Sequence, residues 1–206
     1  METTLEVRWF DPGRPPDVLT RRFDGLGAPG PQSRADTYVA APGTDDLGIK
    51  LRQGGEAFEV KLRQQDFGET KLATGVAGNL ERWQKWSYAI ADPDCRASSL
   101  GLPGESLIEV EKNRRMIIYR LSPDGSVSLA EERAGDGCSV ELTRLVVRRR
   151  EWWSLGFEAF GAQDRLADAL TASADAFFAG GSVAGALDGA RSCAYPAWLH
   201  AAAARS

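Results

Sequence analysis

Basic residues recur at every second position in several short stretches of this sequence. Lys50 and Arg52 share one face of "GIKLR", and Lys61 and Arg63 share one face of "FEVKLR". The full set with this placement is Arg8, Lys50, Arg52, Lys61, Arg63, Lys85, Lys112 and Arg114. A two-residue period puts such side chains on one face of a β-strand. Inside a closed barrel their mutual repulsion would be relieved by acidic neighbours or by a bound anion, so the spacing predicts an anion-binding cavity.

Acidic residues occur on the same strands as these cations. They are Glu6, Glu59, Glu81, Glu141 and Glu158. Carboxylates that cluster at one rim would suit a hard divalent cation, Mg²⁺ or Mn²⁺. They would also serve as ion-pair partners of the basic side chains, which we favour because no local motif fixes them at a metal spacing. Both interpretations stay open at the level of sequence.

The alternation also fits a sheet whose charged face is exposed to water. An exposed sheet would be expected to interleave carboxylates opposite its cations, whereas basic residues dominate this face. We therefore predict that four of the cations point into the barrel, namely Lys50, Arg52, Lys61 and Arg63. Their expected partners there are Glu59, Glu81 and a bound anion. The same register sends four apolar residues outward, where they need a cover: Ile49, Leu51, Val60 and Leu62.

Short strands separated by turns must position these side chains. "TTLEVRWF" opens the chain, "ADTYVAAPGTDDLGIKLRQGGEAFEVKLRQ" contains three strands, and "SLIEVEKNRRMIIYRL" adds one or two more. About nine strands result, and closure of such a sheet removes its exposed edges. The predicted fold is mainly β (α+β), a closed antiparallel barrel of about nine strands over residues 1–161, with C-terminal helices packed outside.

The pattern changes to helical over residues 162–206, which we predict as a helical appendage. Leu166, Leu170, Ala174 and Phe178 lie four apart and form one apolar stripe. This stripe is the expected cover for the outward apolar residues of the charged strands. Residues 182–203 predict a second, weaker helix that Pro196 would break.

Composition excludes several classes of protein. The net charge of −4 argues against a nucleic-acid partner, and no apolar window is long enough for a membrane helix. His200 is the only histidine, so zinc chemistry that needs two histidines is excluded. Cys95, Cys138 and Cys193 are widely spaced and odd in number, which predicts reduced thiols. The opening segment lacks a secretory layout, so we expect a cytoplasmic protein, and the sequence does not indicate an oligomeric state.

The order of these motifs resembles the CYTH superfamily, the triphosphate tunnel metalloenzymes. "LEVRW" is similar to the family's Glu-x-Glu-x-Lys strand, "RADTYV" to its Asp-x-Tyr strand, and "FEVKLR" to its lysine strand. Further along, "VEKNRR" resembles its Lys-x-Arg strand, and "SVELT" and "LGFEAF" resemble its acidic closing strands. The resemblance runs from about residue 4 to about residue 160 and is that of a divergent bacterial branch. It implies a tunnel fold in which the basic residues bind phosphate oxygens and Glu6, Glu141 and Glu158 hold Mg²⁺ or Mn²⁺.

The sequence departs from the family pattern at the acidic positions. Thr4 stands where the opening motif has its first glutamate, Arg8 replaces the lysine, and Thr143 and Phe160 stand where second closing acids are expected. Hard cations rely on several charged oxygens, so these losses weaken a metal site. Two functions follow, a metal-dependent triphosphate or polyphosphate phosphohydrolase and a non-catalytic module that binds a small phosphorylated anion. A barrel for an apolar ligand is a third interpretation, and it requires the apolar faces inside.

Overall fold

The computed structural model describes residues 1–40, 43–52, 56–72, 76–90, 106–179 and 183–204. Nine strands run over Glu2–Pro12 (β1), Gln32–Val39 (β2), Leu47–Arg52 (β3), Ala57–Lys71 (β4), Ala77–Ala89 (β5), Leu107–Leu121 (β6), Val127–Ala130 (β7), Gly137–Val147 (β8) and Arg150–Phe160 (β9). The α-helices are Asp17–Gly25 (α1), Leu166–Phe178 (α2) and Tyr195–Ala204 (α3). Short 3₁₀ helices lie at Gln163–Arg165, Ala184–Ala186 and Gly189–Arg191.

Eight of the strands form a closed antiparallel barrel. Their order is β2-β3-β4-β5-β1-β9-β8-β6, and pairing of β2 with β6 closes the ring. β7 adds to β6 at one end. The predicted mainly β barrel with helices outside its wall is confirmed. The division of the chain at residue 161 stays a prediction.

Alternation along the strands separates a charged interior from an apolar exterior. On β1, Glu6 and Arg8 face the cavity inside the barrel, while Leu5, Val7 and Trp9 are buried in a core on the outer side. β-strands place successive side chains on opposite faces, so the same parity rule holds along β6, β8 and β9. The charged face is therefore enclosed, as the sequence predicted.

Helix α2 covers the outer face of β1, β6, β7, β8 and β9. Its predicted stripe is buried as expected, and the ring of Phe177 lies 5.5 Å from that of Phe157 on β9. Arg22 of α1 donates hydrogen bonds to the carbonyls of Ala176 and Phe177, where a cation also favours the negative end of the helix dipole. The sequence pattern did not identify α1, whose Leu19 and Phe23 are fully buried.

The predicted cover for the charged strands was wrong. The core around α2 does not include Ile49, Leu51, Val60 or Leu62. α2 follows β9 after a short turn, and consecutive elements tend to pack together, so the helix lies back on the strands near β9. Leu62 remains 36% exposed.

The segment before α3 enters a gap between β1 and β5. Beyond Val7 these strands separate, and Ser192 forms an isolated antiparallel bridge with Trp9. The Ser192 hydroxyl donates to the carbonyl of Arg8 over 3.0 Å and accepts from the amide of Asn79 over 2.7 Å. These bonds bring the C-terminal segment to the wall of the barrel.

Helix α3 covers one end of the barrel. Three of its side chains, Trp198, Leu199 and Ala202, are buried against apolar residues that point into the barrel. We call this region the closed end, and its strand residues are Phe10, Ile108, Val110, Leu145 and Val147. The rings of Phe10 and Trp198 are stacked with centroids 4.5 Å apart. The predicted break at Pro196 was wrong, because this residue lies in the first turn of α3, where its missing N–H needs no helical partner.

Other sequence predictions have mixed outcomes. Within the described ranges, no helix is long and apolar enough to span a membrane. Cys138 and Cys193 are free thiols, as predicted, whereas Cys95 lies outside the described residues. His200 contacts Asp45 at 2.9 Å. The predicted cytoplasmic location stays a prediction.

Candidate functional site

A cavity of about 200 Å³ lies inside the barrel. The described residues that line it include nine basic side chains: Arg8, Arg34, Lys50, Arg52, Lys61, Lys85, Lys112, Arg114 and Arg133. Its acidic lining consists of Glu6, Glu59, Glu81, Glu141 and Glu158. Small-molecule sites usually occupy roughly 300–1,000 Å³, so this cavity suits a small ligand.

The nine basic side chains share six carboxylates in ion pairs. The acids concerned are Glu2, Glu6, Asp36, Glu59, Glu141 and Glu158. With all of these groups ionised, they carry an excess of three positive charges, and the remaining lining acid, Glu81, is paired with Arg63. Charges with limited access to water are weakly screened, so the excess favours an anion.

Asp36 of β2 is fully buried beside three cations. Its Oδ2 lies 2.9 Å from Lys112 Nζ, 3.4 Å from Arg34 and 3.8 Å from Lys50. Burial acts to raise the pKa of Asp36, but the attraction of these cations outweighs it and holds the pKa below its ordinary value. The carboxyl group is therefore ionised, and it neutralises only one of its three basic neighbours.

The ammonium group of Lys112 on β6 lies beside two tyrosine rings that stack on each other. Its Nζ is 4.8 Å from the ring centroid of Tyr38 and 4.5 Å from that of Tyr195, and it donates to the Tyr38 hydroxyl over 2.5 Å. Burial, together with repulsion from Lys50, lowers the pKa of Lys112 to about 7 despite the attraction of Asp36. This ammonium group therefore changes its charge close to neutral pH.

Glu141 of β8 connects two arginines in the middle of the cavity. Its Oε1 accepts from Arg8 over 3.0 Å, and its Oε2 lies 3.4 Å from Arg114. Burial opposes ionisation, yet Arg8 and Arg114 lower the pKa of Glu141 to about 2, with a further hydrogen bond from Thr143 at 2.9 Å. The guanidinium of Arg8 lies against Gly156, where an added Cβ would fall 2.4 Å from Arg8 Cζ. Glycine at this position therefore gives Arg8 room to face the cavity.

Glu6 and Glu158 are directly opposite each other on β1 and β9. Lys61 forms an ion pair with Glu6 and lies 3.7 Å from Glu158 Oε2. Arg133 donates to Glu158 Oε1 over 2.6 Å. Burial acts to raise the pKa of Glu158, but Lys61 and Arg133 outweigh it and hold the pKa well below its ordinary value.

The three glutamates predicted as metal ligands are thus bonded to basic side chains. Lys61 occupies the position between Glu6 and Glu158, and Glu141 contacts Arg8 and Arg114. Across the described ranges, no group of three or more acidic, histidine or cysteine side chains is placed to hold one metal ion. As arranged here, these residues do not fit a divalent cation, so we derive no chemistry through one. The Mg²⁺ or Mn²⁺ site stays a prediction.

Seven of the eight predicted basic residues line the cavity. The exception is Arg63, which bonds to Glu81 over 2.6 Å but is not among the lining residues. Glu59 pairs with Lys50 and Arg52, as predicted. Lys61 instead pairs with Glu6 and Glu158. The inward direction is confirmed for the seven lining cations but not for Arg63, and their role in binding phosphate stays a prediction.

The sequence prediction missed several residues of the site, among them the acids Glu2 and Asp36. Arg34 and Tyr38 flank Asp36 at two-residue spacing, so the alternation in "RADTY" could have identified them. Arg133 lies in the turn before β8, and Tyr195 begins a helix, so neither follows a strand pattern. Gly156 carries no side chain and gives no pattern of its own.

No protein-family model and no curated protein sequence match this chain. Among solved structures, it is similar to a conserved hypothetical protein from Pyrococcus furiosus, at 10% identity and a TM-score of 0.45, with 84% of this chain and 89% of that chain covered. A Pyrococcus horikoshii protein is 15% identical at a TM-score of 0.42, with coverages of 86% and 89%. A candidate adenylyl cyclase from Hippeastrum with a dominant triphosphatase activity is 13% identical at a TM-score of 0.37, with coverages of 77% and 79%.

Proposed function

We propose that this protein binds a small phosphorylated anion in the cavity of its barrel. The observation that carries the proposal is the sharing of six carboxylates among nine basic side chains. A bound anion would neutralise the remaining positive charge without disrupting the ion pairs. Arginine and lysine donate strong charge-assisted hydrogen bonds to phosphate oxygens, and arginine can do so with two parallel bonds.

The arrangement of the cations favours an anion with more than one charged group. Lys112 and Lys50 lie near Asp36, Arg8 and Arg114 near Glu141, and Lys61 near Glu6. These clusters come from different strands and surround one cavity. A ligand with linked phosphate groups could contact several clusters at once, and a single small anion could not.

The interior also argues against the two other classes of ligand. A charged cavity is unsuited to a purely apolar ligand, because its polar groups would lose hydration without gaining partners. A nucleic-acid backbone needs an extended basic surface, whereas these cations are enclosed and the chain has a net charge of −4.

The decisive experiment measures binding of inorganic tripolyphosphate by calorimetry, with a chelator present to remove divalent metal. We expect binding and a rise in melting temperature, because a ligand selective for the folded state stabilises it. The Arg114→Gln variant should bind about tenfold more weakly, because it loses one charge-assisted contact to phosphate.

A matched control removes an arginine from the outer surface. Arg144 lies on β8, the strand next to the β6 strand of Arg114, but its side chain is half exposed and pairs with Glu151. Arg144→Gln should bind tripolyphosphate like the unmodified protein. No binding of tripolyphosphate by the folded protein, or equal losses in the two variants, would overturn the proposal.

Metal-dependent hydrolysis is the alternative proposal, and it would require Glu6, Glu141 and Glu158 to exchange their basic partners for the metal ion. It is tested in the same system by adding Mg²⁺ or Mn²⁺ and measuring phosphate release from tripolyphosphate and nucleoside triphosphates. Release that depends on the metal would favour the phosphohydrolase. Tight binding of tripolyphosphate that the metal does not change, with no release of phosphate, would favour the non-catalytic module.

A further inference from the structure

A second, larger cavity opens on the side of the barrel. It has a volume of about 650 Å³ and lies along β6, between the α1–β2 connection and β7. We call it the side groove, and its apolar lining consists of Leu26, Pro29, Met116, Ile117, Ile118, Leu129 and Ala130. Its size is within the range of about 300–1,000 Å³ that is usual for organic ligands.

The side groove lies at a gap in strand pairing. β2 pairs with β6 as far as Arg114, opposite Gln32, and β7 pairs with β6 only from Ile118. Within the described ranges, residues 115–117 of β6 therefore have a strand partner only on the β8 side. At these residues, the described barrel wall lacks a paired strand on the other side of β6.

Two side chains connect the side groove with the charged cavity. Arg114 and Met116 line both. Arg114 faces Glu141 on the cavity side at 3.4 Å and donates to Gln32 on the groove side over 3.3 Å. A phosphate group held at Arg114 could therefore carry a substituent that lies directly in the groove.

The lining indicates which substituent fits. Leu129 is 49% exposed, although apolar side chains on a short outer strand gain nothing from contact with water. Among the described lining residues, Gln32, Arg114 and Glu131 are polar, and none has an aromatic ring on which a nucleobase could stack. An aliphatic group satisfies this lining better than a nucleoside does.

We propose that the side groove binds the aliphatic chain of an organic diphosphate or related phosphate ester whose charged end lies in the barrel cavity. This inference rests on the proposed function, because Arg114 anchors the charged end in both. It replaces an inorganic polyphosphate with an amphipathic ligand as the preferred occupant. Burial of several methylene groups in the groove supplies the additional affinity.

Calorimetry with three diphosphate probes tests the inference, again in the presence of a chelator. Geranyl diphosphate should bind at least about tenfold more tightly than inorganic diphosphate. Adenosine diphosphate, whose organic group is polar, should show no such gain. Geranyl diphosphate and adenosine diphosphate have the same esterified diphosphate end, so the difference in their affinities reports the organic group alone.

A pair of variants on β7 locates the effect. Leu129→Gln should weaken geranyl diphosphate about fivefold and leave inorganic diphosphate unchanged, because only the chain contacts Leu129. Ser128→Gln is the control, since Ser128 is exposed on the same strand and does not line the groove. Both positions are exposed, so the variants should fold.

The outcomes separate this inference from the proposed function. If inorganic diphosphate binds and geranyl diphosphate binds no better, the groove is not a chain-binding site and the anion site stands. The inference would also be overturned if adenosine diphosphate, and not geranyl diphosphate, bound more tightly than inorganic diphosphate. If none of the three probes binds, the proposed function itself fails.

Discussion

The two halves of the barrel interior differ although they are built from the same strands. At the closed end, Phe10 of β1 and Val110 of β6 pack with Trp198 of α3. One inward position further along these strands, Arg8 and Lys112 line a charged cavity. The parity of a strand therefore decides which residues point inward. It does not decide whether that interior is apolar or ionic.

The pKa values of the charged groups differ with their distance from the closed end. Lys112 and Asp36 lie beside the apolar closed end, and the pKa of Lys112 falls to about 7 there. Arg8 and Glu141 lie further along, and the pKa of Glu141 is lowered by its arginine neighbours. Burial acts on both sets of charges, but Lys112 is also repelled by Lys50, whereas Glu141 is stabilised in its ionised form by Arg8 and Arg114. Four variants test this contrast.

The largest expected effect comes from opening the closed end. Trp198→Ala should lower the free energy of unfolding by about 3–5 kcal/mol, because it removes a large buried ring stacked on Phe10. Chemical denaturation measures the loss. Ala201→Ser, on the exposed side of the same helix, should change stability by less than about 0.5 kcal/mol. Similar values for the two variants would mean that α3 does not stabilise the barrel.

Removal of the buried acid beside the closed end should have the next largest effect. Asp36→Asn leaves Lys112, Lys50 and Arg34 close together without their shared carboxylate, and we expect a loss of about 3 kcal/mol in the free energy of unfolding. The control is Asp66→Asn, a more exposed partner of Arg63, with an expected loss below about 1 kcal/mol. Denaturation curves that show equal losses would contradict the special role of burial at Asp36.

Glu141, in the middle of the cavity, should make the free energy of unfolding depend on pH in the acid range. The pKa of Glu141 is about 2 in the folded state, below its ordinary value of 4.5. Its contribution to stability is therefore complete above the ordinary pKa and is lost as the pH falls toward 2. Between about pH 5 and pH 3, about 2 kcal/mol should disappear. Glu141→Gln should flatten this part of the pH profile, and an unchanged slope would contradict the assignment.

The smallest expected effect concerns sulfate binding near neutral pH. Sulfate keeps its charge, whereas Lys112 should lose its proton as the pH rises through about 7. Affinity should therefore fall up to about tenfold between pH 6 and pH 8, measured by calorimetry. Lys112→Arg should remove this dependence, because arginine stays charged. The groups that face Lys112 are Asp36, Lys50, Arg34, Tyr38 and Tyr195, and an unchanged pH profile in the variant would assign the titration to one of them.

Much of this architecture could be predicted from the alternation of residue types. The two-residue period in "GIKLR" and "FEVKLR" was sufficient to place Lys50 and Lys61 inside a closed barrel. The closed end could not be predicted in this way, because Phe10 and Val110 have the same parity as the charged residues and differ only in their position along the strand. The partners of Lys61 depend on which strands are adjacent, and pairing of β1 with β9 is a long-range property. The location of α2 depended on the short turn after β9, which an amphipathic stripe does not encode.

The position of β1 in the ring also affects how the barrel can form. β1 is made before its two neighbours, and Leu5 must wait for Arg82 of β5 and then for Ala159 of β9 before both of its edges are paired. Ser192 completes the wall later still, when it joins Trp9. Such distant pairings slow folding and leave strand edges open during synthesis. The charged cavity exists only after these late contacts, so its ligand stabilises a finished barrel and cannot act as an early folding nucleus.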